Sequence, residues 1–485
     1  MSSSVRAAQR AMRYHPFHRT ASADYIRAVP TPQYDPAMLD RMRERLRSEG
    51  VEYCMATYAD GHGVAKCKTV PLDHFEAMVH GSELFTGAAL DMLGQSPADD
   101  ELAVWPDPDA IVQLPWRPNV AFAPGNLYLH DEPYPMCPRT VLTRQAELAR
   151  ERGFVLNLGI ETEFFFVRTD ELGRPEPWNP RDTLDKPCYD AVGMLESLHF
   201  LDEMVGYMNS LGWDVHSFDH EDGNGQYEFD FSYTHALAMA DRFMLFRMMA
   251  KEVARSHGYE ATFMPKPWTD RTGGGAHFNM SLAAVESGEN LFAPGADGDP
   301  HGCGISPLGY RFLAGILAHA PAIVAVTCPT VNSYKRLIRR GAMSGSTWAP
   351  VFISYGRNNR THMLRVPTKS PRVESRAVDA SVNAYLGAAL VLAAGLEGIE
   401  RELDPGAPID LDMYVQSEQQ IADLGVELLP RTLSEAIDAF EADPLTRDVF
   451  GSDLQQAYIE FKRSEWEDFH NTVTQWEWER YLTLY

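Results

Sequence analysis

The chain of 485 residues holds 68 acidic against 43 basic side chains, a formal charge of -25, with 45% hydrophobic residues. This is globular composition with enough length for a large core in two domains, and it excludes a basic footprint for nucleic acid or an anionic membrane. Six scattered cysteines (Cys54, Cys67, Cys137, Cys188, Cys303 and Cys328) without a Cys-x-x-Cys pair exclude a disulfide scaffold or zinc ribbon, so a reducing, cytoplasmic setting is expected.

Residues 1–23 carry Arg6, Arg10, Arg13 and Arg19, no acid, and no apolar core of a secretory signal; they are expected to form an arm. Over residues 35–49, Met38, Leu39, Met42 and Leu46 fall at helical spacing, and Gly50 follows as a stop. Strand-like runs at 51–58 and 63–70 flank turn chemistry around Asp60 and Gly61, which predicts a hairpin. Further strand-like pieces lie at 110–114 and 126–130. Prolines 133, 135 and 138 then mark a boundary, dividing a first domain at 24–135 from a second at 136–485.

The second domain opens with a helical pattern at 139–153, then Gly-Ile-Glu-Thr-Glu-Phe-Phe-Phe-Val at 159–167. In a strand, Glu161 and Glu163 share one face about 6.6 Å apart, so the pair needs a proton, a cationic side chain or a metal ion between them. Helical spacing at 195–211 leads into 215–231, where Glu221 and Glu228 bracket a Gly-rich turn and a hairpin folds both towards one point. After a helix at 236–257, Gly273, Gly274 and Gly275 allow close backbone approach to an anion, and His277 emerges beside them on a strand with Asn279. The apolar runs at 312–326 and 384–396 read as buried core helices, the first broken by His319 and Pro321. Six basic residues fall between Lys335 and Arg360, and Arg365 follows; Arg372, Glu374 and Arg376 alternate onto one strand face.

Five carboxylates and one imidazole therefore sit on separate strand or hairpin segments. Hard oxygen donors with a single histidine suit Mg²⁺ or Mn²⁺, with two or more ions per site. Arginines and a Gly-rich loop beside such ions imply phosphoryl transfer from a nucleotide. Neither a Walker lysine loop nor a Gly-x-Gly-x-x-Gly helix start is present, which excludes P-loop and Rossmann enzymes.

Five ordered motifs carry a resemblance: Glu161-Thr-Glu163, Glu221 to Gln226-Tyr-Glu228, Lys266-Pro ahead of Gly-Gly-Gly-Ala-His277, Asn332-Ser-Tyr-Lys-Arg336, and Arg372-Val-Glu374-Ser-Arg376. From about residue 35 onward the chain resembles the glutamine synthetase family. The resemblance implies an α+β fold, with an N-terminal β-grasp domain and a catalytic domain of curved antiparallel sheet and flanking helices. It also implies a homododecamer of two hexameric rings with active sites between subunits. One metal would use Glu163, Glu221 and Glu228, and another Glu161, His277 and Glu374. Arg336 and Arg376 match contacts to the glutamate carboxylate and the phosphoryl group, Arg360, Arg365 and Arg372 match ATP-phosphate contacts, and Gly273 matches a backbone contact to glutamate. ATP would phosphorylate the γ-carboxylate of glutamate, and an amine would displace phosphate.

Two family carboxylates that gather ammonium are replaced. The Phe-Asp-Gly-Ser-Ser stretch of the family reads Phe85-Thr86-Gly87-Ala88-Ala89, and the flap glutamate before an Ala-Pro pair aligns with Trp348. Thr272 replaces a glutamate-binding Asn and Asn279 a nucleotide-side His. Exchanging an anion for an indole disfavours a small hydrated cation and favours an amine with an apolar part. The expected activity is ligation of glutamate to a short alkylamine such as methylamine or ethylamine, resembling the γ-glutamylmethylamide synthetases; ammonia and polyamines are the alternative amines.

Overall fold

The computed structural model describes residues 32–296, 298–339 and 347–485; the expected arm at 1–23 lies outside them, as does Arg340. Two sheets organise the described chain. In the first, of seven strands, Tyr53–Ala59 and Ala65–Pro71 form the expected antiparallel hairpin. Tyr53–Ala59 also pairs in parallel with Arg117–Leu129, as a β-grasp sheet requires, and helix Pro36–Ser48 buries Leu39 and Leu46 in the same core. Arg117–Leu129 is far longer than the strand expected at 126–130. Pro118 and Pro124 within it, and its small Ala121, Ala123 and Gly125, hide the period-two alternation on which a strand is recognised. Strands Glu83–Phe85 and Leu102–Pro106 were equally hidden, by brevity and by prolines.

The second sheet has ten strands and is built on Phe154–Thr169. Gln226–Phe231 pairs on one side of this spine and Ala276–Ala284 on the other; Val215–His220 extends the first side, and Val373–Ser375 and Leu364–Val366 extend the second. The pairing is antiparallel as expected, except that Tyr355–Arg357 runs parallel to Leu364–Val366. One face of the spine is apolar. Ile160, Phe164, Phe229 and Phe278 are buried there, and Phe164 lies 5.3 to 6.1 Å from the rings of Phe166, Phe229, Phe246 and Phe263. Phe246 belongs to helix Ala236–Ser256, whose apolar stripe covers this face.

The apolar run at 312–326 spans two helices, Pro307–Ala318 and Ala320–Thr327, bent by 78°. The break falls where His319 pairs with Asp443 and where Pro321 offers no amide hydrogen to the preceding turn. Helix Ala384–Glu400 is buried along nearly its whole length, as its composition predicts. Among the described residues no single helix is long and apolar enough to cross a membrane.

A buried polar knot ties the two sheets together. Arg139, in helix Pro138–Glu151, donates to Asp241 Oδ1 and Oδ2 at 3.1 and 3.0 Å, to Asn126 Oδ1 at 3.0 Å and to Asp107 Oδ2 at 2.8 Å; Tyr385 donates to Asp241 Oδ1 at 2.6 Å. Breaking such a pair leaves a buried charge undercompensated, which costs about 3–5 kcal/mol. Asp241→Ala is therefore expected to lower the thermal unfolding midpoint by several degrees, and an unchanged midpoint in differential scanning calorimetry would exclude this role for the knot.

Candidate active site

The polar face of the second sheet follows from strand period and register. Glu161 and Glu163 stand two residues apart on the spine; His277 pairs opposite Glu161, Glu228 opposite Glu163, Glu374 opposite Asn279, and Arg365 opposite Glu374. Residues far apart in sequence thus fall on one surface. Glu221 joins them from the turn after Val215–His220, where its Oε2 accepts the Asp222 amide at 2.9 Å.

His277 Nδ1 lies 3.4 Å from Glu161 and 3.8 Å from Glu374, and its Nε2 lies 3.6 Å from Glu163. Gln226 Nε2 donates to Glu163 Oε2 at 2.8 Å and to the Gly273 carbonyl at 3.3 Å, while the Gly275 amide donates to Glu163 Oε2 at 2.9 Å. The glycines are there for space: a Cβ on Gly275 would sit 2.6 Å from His277 Nε2 and 2.9 Å from an Arg336 nitrogen, and one on Gly273 would sit 2.5 Å from the Pro265 carbonyl.

Crowding acid groups out of water changes their protonation. Burial, with Glu374 nearby, pushes Glu161 up to about 7; burial, Glu163 and Asp219 push Glu221 up to about 8. Glu228 is raised well above the usual carboxylate range by burial and then by Glu221 and Glu161. His277 is held down to about 3 by burial and Arg376, so its imidazole is neutral and able to ligate. Burial opposes ionisation of Glu374 too, but Arg376, His277 and Arg365 overcome it and hold that carboxyl at about 2.

The ligand atoms of Glu161, Glu228 and His277 lie within 4.8 Å of one another. This trio draws one or more members from each of the two metal sets expected from the sequence. Its chemistry, two carboxylates and a neutral imidazole with further carboxylates alongside, fits Mg²⁺ or Mn²⁺. Glu374 is engaged differently, accepting from Arg376 Nη1 at 2.6 Å and from Arg365 Nη1. Two expected phosphate-binding arginines thus neutralise a carboxylate of the cluster.

Arg336 and Arg376 are buried together, with Arg336 Nη2 donating to the Arg376 carbonyl at 3.3 Å. Arg336 Nη1 and Arg376 Nε find no acceptor among the described residues, as expected of donors awaiting an anion. Arg372 Nε donates to Asn279 Oδ1 at 2.6 Å, at the edge of the same face. Arg360 is exposed at the rim, where its charge is felt by Tyr189. Trp348 approaches through its indole Nε1, which donates to Asp222 Oδ2 at 3.1 Å. Thr86 stands apart, exposed beyond strand Glu83–Phe85 in the other sheet, with no hydrogen bond among the described residues tying it to the carboxylates of its own chain. Gln226 and Asp222 were not assigned roles from the sequence, although both lie inside the Glu221 to Glu228 motif.

A sheet face of buried carboxylates, one neutral histidine, unsatisfied guanidinium groups and a close-packed glycine run defines a cation-dependent phosphoryl-transfer site. The sequence profile of the glutamine synthetase catalytic domain matches residues 135–481. The chain is 39% identical to the glutamate–methylamine ligase of Methyloversatilis universalis, over 91% of this chain and 98% of that protein. It is also 38% identical to a glutamine synthetase of Rhizobium leguminosarum bv. phaseoli, over 89% and 96%. A solved structure titled as a GmaS/ADP complex superimposes with a TM-score of 0.84 at 39% identity, covering 91% of this chain and 99% of the other. The chain belongs to the glutamine synthetase family, whose members are ATP-dependent ligases.

Two tests isolate the cluster. Between about pH 7.5 and 9 His277 is neutral in the folded state and almost wholly neutral in the unfolded one, while Glu221 and, to a smaller extent, Glu161 still hold protons in the folded state that the unfolded chain has released. Stability therefore falls as pH rises through this window. Metal-stripped protein is expected to lose thermal midpoint from about pH 7.5 to 9, and Mg²⁺ to restore it most at the upper end; a midpoint in chelator that is flat across the window would refute the coupling. Gly275→Ala is expected to remove at least about 99% of turnover, some 2.7 kcal/mol by the usual conversion, with little change in far-UV circular dichroism; near-normal turnover would show that the glycine run is not close-packed.

Proposed function

We propose that the protein joins the γ-carboxyl of L-glutamate to a short primary alkylamine such as methylamine or ethylamine, at the expense of ATP. The observation that carries this is Trp348: an indole tethered to Asp222 beside the Glu221 turn, at the position that the sequence resemblance aligns with the family's flap carboxylate. Its ring offers an apolar wall and a π-face to a substrate that has a methyl or ethyl group next to its nitrogen. The similarity to a protein named glutamate–methylamine ligase points the same way.

In the first step an oxygen of the glutamate γ-carboxylate attacks the γ-phosphorus of ATP, the bond to the bridging oxygen breaks, and ADP leaves. The amine nitrogen, deprotonated to expose its lone pair, then attacks the acyl carbon; the C–N bond forms, phosphate departs, and the nitrogen sheds a further proton. Glu161, Glu163, Glu221, Glu228, His277 and Glu374 would hold the Mg²⁺ or Mn²⁺ ions, which would supply positive charge to the phosphate oxygens. Arg336 and Arg376 supply the buried donors for the glutamate carboxylate and the phosphoryl group, and Gly273 leaves room for the amino-acid moiety. Arg360, Arg365 and Arg372 take the ATP phosphates, with Asn279 orienting Arg372. Arg365 and Arg376 are held next to the cluster by their ion pairs with Glu374.

The position of Thr86, away from the carboxylates of its own chain, supports a site completed by a neighbouring subunit. We place the chain accordingly in a dodecamer of two hexameric rings, working in the cytoplasm. Ammonia is the competing amine, favoured by the similarity to glutamine synthetases. Steady-state turnover with glutamate, ATP and each of methylamine, ethylamine, putrescine and ammonia decides: methylamine or ethylamine is expected to give the highest kcat/KM, and ammonia giving the highest would overturn the assignment.

A further inference from the structure

Two of the positions at which this chain departs from its family, Trp348 and Thr272, meet at one atom. Asp222 Oδ2 accepts the Trp348 indole N–H at 3.1 Å and the Thr272 hydroxyl at 2.7 Å. Asp222 directly follows Glu221 in the hairpin turn, and its own amide donates to the Glu221 carboxylate. Thr272 directly precedes Gly273. The indole is thereby fastened at once to the turn that carries a metal-ligand carboxylate and to the glycine run beneath the glutamate.

The tether does work that the rest of the ring's surroundings do not. Trp348 is 41% exposed, whereas the flanking Thr347 and Ala349 are buried. Its backbone has φ of 53°, a left-handed conformation that is unfavourable for an L-residue and persists where the surroundings enforce it. Behind it the chain is pinned, with Tyr414 donating to the Ala349 carbonyl at 2.8 Å. A half-exposed ring is oriented by its hydrogen bonds, and here the indole N–H donates to a carboxylate oxygen that is itself nearly buried and shared with Thr272. A surface tryptophan that merely happens to find an acceptor would need neither the left-handed backbone nor an acceptor shared with Thr272.

We infer that Asp222 is a positioning residue for amine selectivity: with Thr272 it holds the Trp348 indole in the orientation that covers the alkyl group of a primary alkylammonium substrate. This rests on the alkylamine assignment above for the identity of the ligand, but the tether itself makes a separate prediction. Because Trp348 and Asp222 act through one hydrogen bond, losing either end has the same consequence, and losing both adds nothing.

The experiment compares wild type, Trp348→Phe, Asp222→Asn, Asp222→Ala and the double variant Trp348→Phe/Asp222→Ala, each checked for its thermal midpoint. kcat/KM for methylamine and for ammonia is measured at saturating glutamate and ATP, together with the KM for glutamate. Trp348→Phe and Asp222→Ala are each expected to lower the methylamine-to-ammonia ratio by about tenfold, equivalent to about 1.4 kcal/mol. The loss should appear mainly in the amine KM, with the glutamate KM little changed. Asp222→Asn, whose amide oxygen still accepts from the indole, should keep most of the ratio, and the double variant should fall no further than either single one. Should Asp222→Ala not fold, Trp348→Phe against Asp222→Asn and their double variant carry the comparison, since the amide rescues only while the indole N–H is present. Unchanged ratios in Trp348→Phe, or single effects that multiply in the double variant, would overturn the tether. A wild-type preference for ammonia would sink the alkylamine assignment alone, because the coupling between Trp348 and Asp222 is then read on ammonia kcat/KM, where additivity again overturns the tether and non-additivity upholds it.

Discussion

The rest of the structure depends on one unfavourable arrangement: carboxylates gathered on a single sheet face and taken out of water. In isolation such a face would not persist, because burial and mutual repulsion both favour protonation or dispersal, as the raised values of Glu161, Glu221 and Glu228 show. What holds it is the opposite face of the same strands. Ile160, Phe164, Phe229 and Phe278 alternate with the acidic positions, and each fully buried phenyl or branched side chain contributes about 2 kcal/mol. Register does the remainder, since a one-residue slip would exchange the two faces. The acids cannot move apart without unpacking the aromatic core.

Charge is managed locally within that frame. Glu374, with no exposure at all, is matched by Arg365 and Arg376, and its carboxyl is correspondingly the one held low. Among the described residues Glu161, Glu221 and Glu228 have no such guanidinium pairs, so a divalent cation would gain most by binding there. The same physics explains why His277 is neutral: burial and neighbouring arginines outweigh the acids around it. One sheet face therefore holds both a compensated and an uncompensated half, and the second has more to gain from a bound cation.

Much of this was legible in the sequence because strand period and turn composition are local signals. Glu161 and Glu163 two apart, Glu221 and Glu228 across a Gly-rich turn, and His277 after three glycines all appear as expected. Cross-strand register was not legible. Nothing in the chain's order shows that Glu374 faces Asn279, that Arg365 and Arg376 converge on Glu374, or that Glu228 groups with Glu161 and His277. Strands whose side chains are small or interrupted by proline, such as Arg117–Leu129, also escaped, since their burial is decided by what packs on them. Gln226 was invisible as a functional residue for a related reason: an amide side chain declares its role only through the Glu163 carboxylate and Gly273 carbonyl it bridges.

The division of labour between strands and loops has a physical consequence for how amine choice changes. Most of the residues proposed for phosphoryl transfer stand on paired strands or, like Arg336 and Arg376, are buried beside them, where moving one disturbs register, packing and the charge balance of its neighbours; Glu221 comes from a turn and Arg360 from an exposed loop. Thr86, Asp222, Thr272 and Trp348 lie on turns and loops, where a side chain is replaced with little effect on the sheet. An anion at the Trp348 position would confront the raised carboxylates of Glu221 and its neighbours and would need a cation to offset it, which suits a small, fully charged ammonium. An indole removes that repulsion, adds apolar area, and finds its partner in the Asp222 carboxylate. On the proposed function, selectivity for an amine with an alkyl group would be reached by changing the loops around the same electrostatic centre, at a backbone cost borne by the left-handed residue that presents the ring.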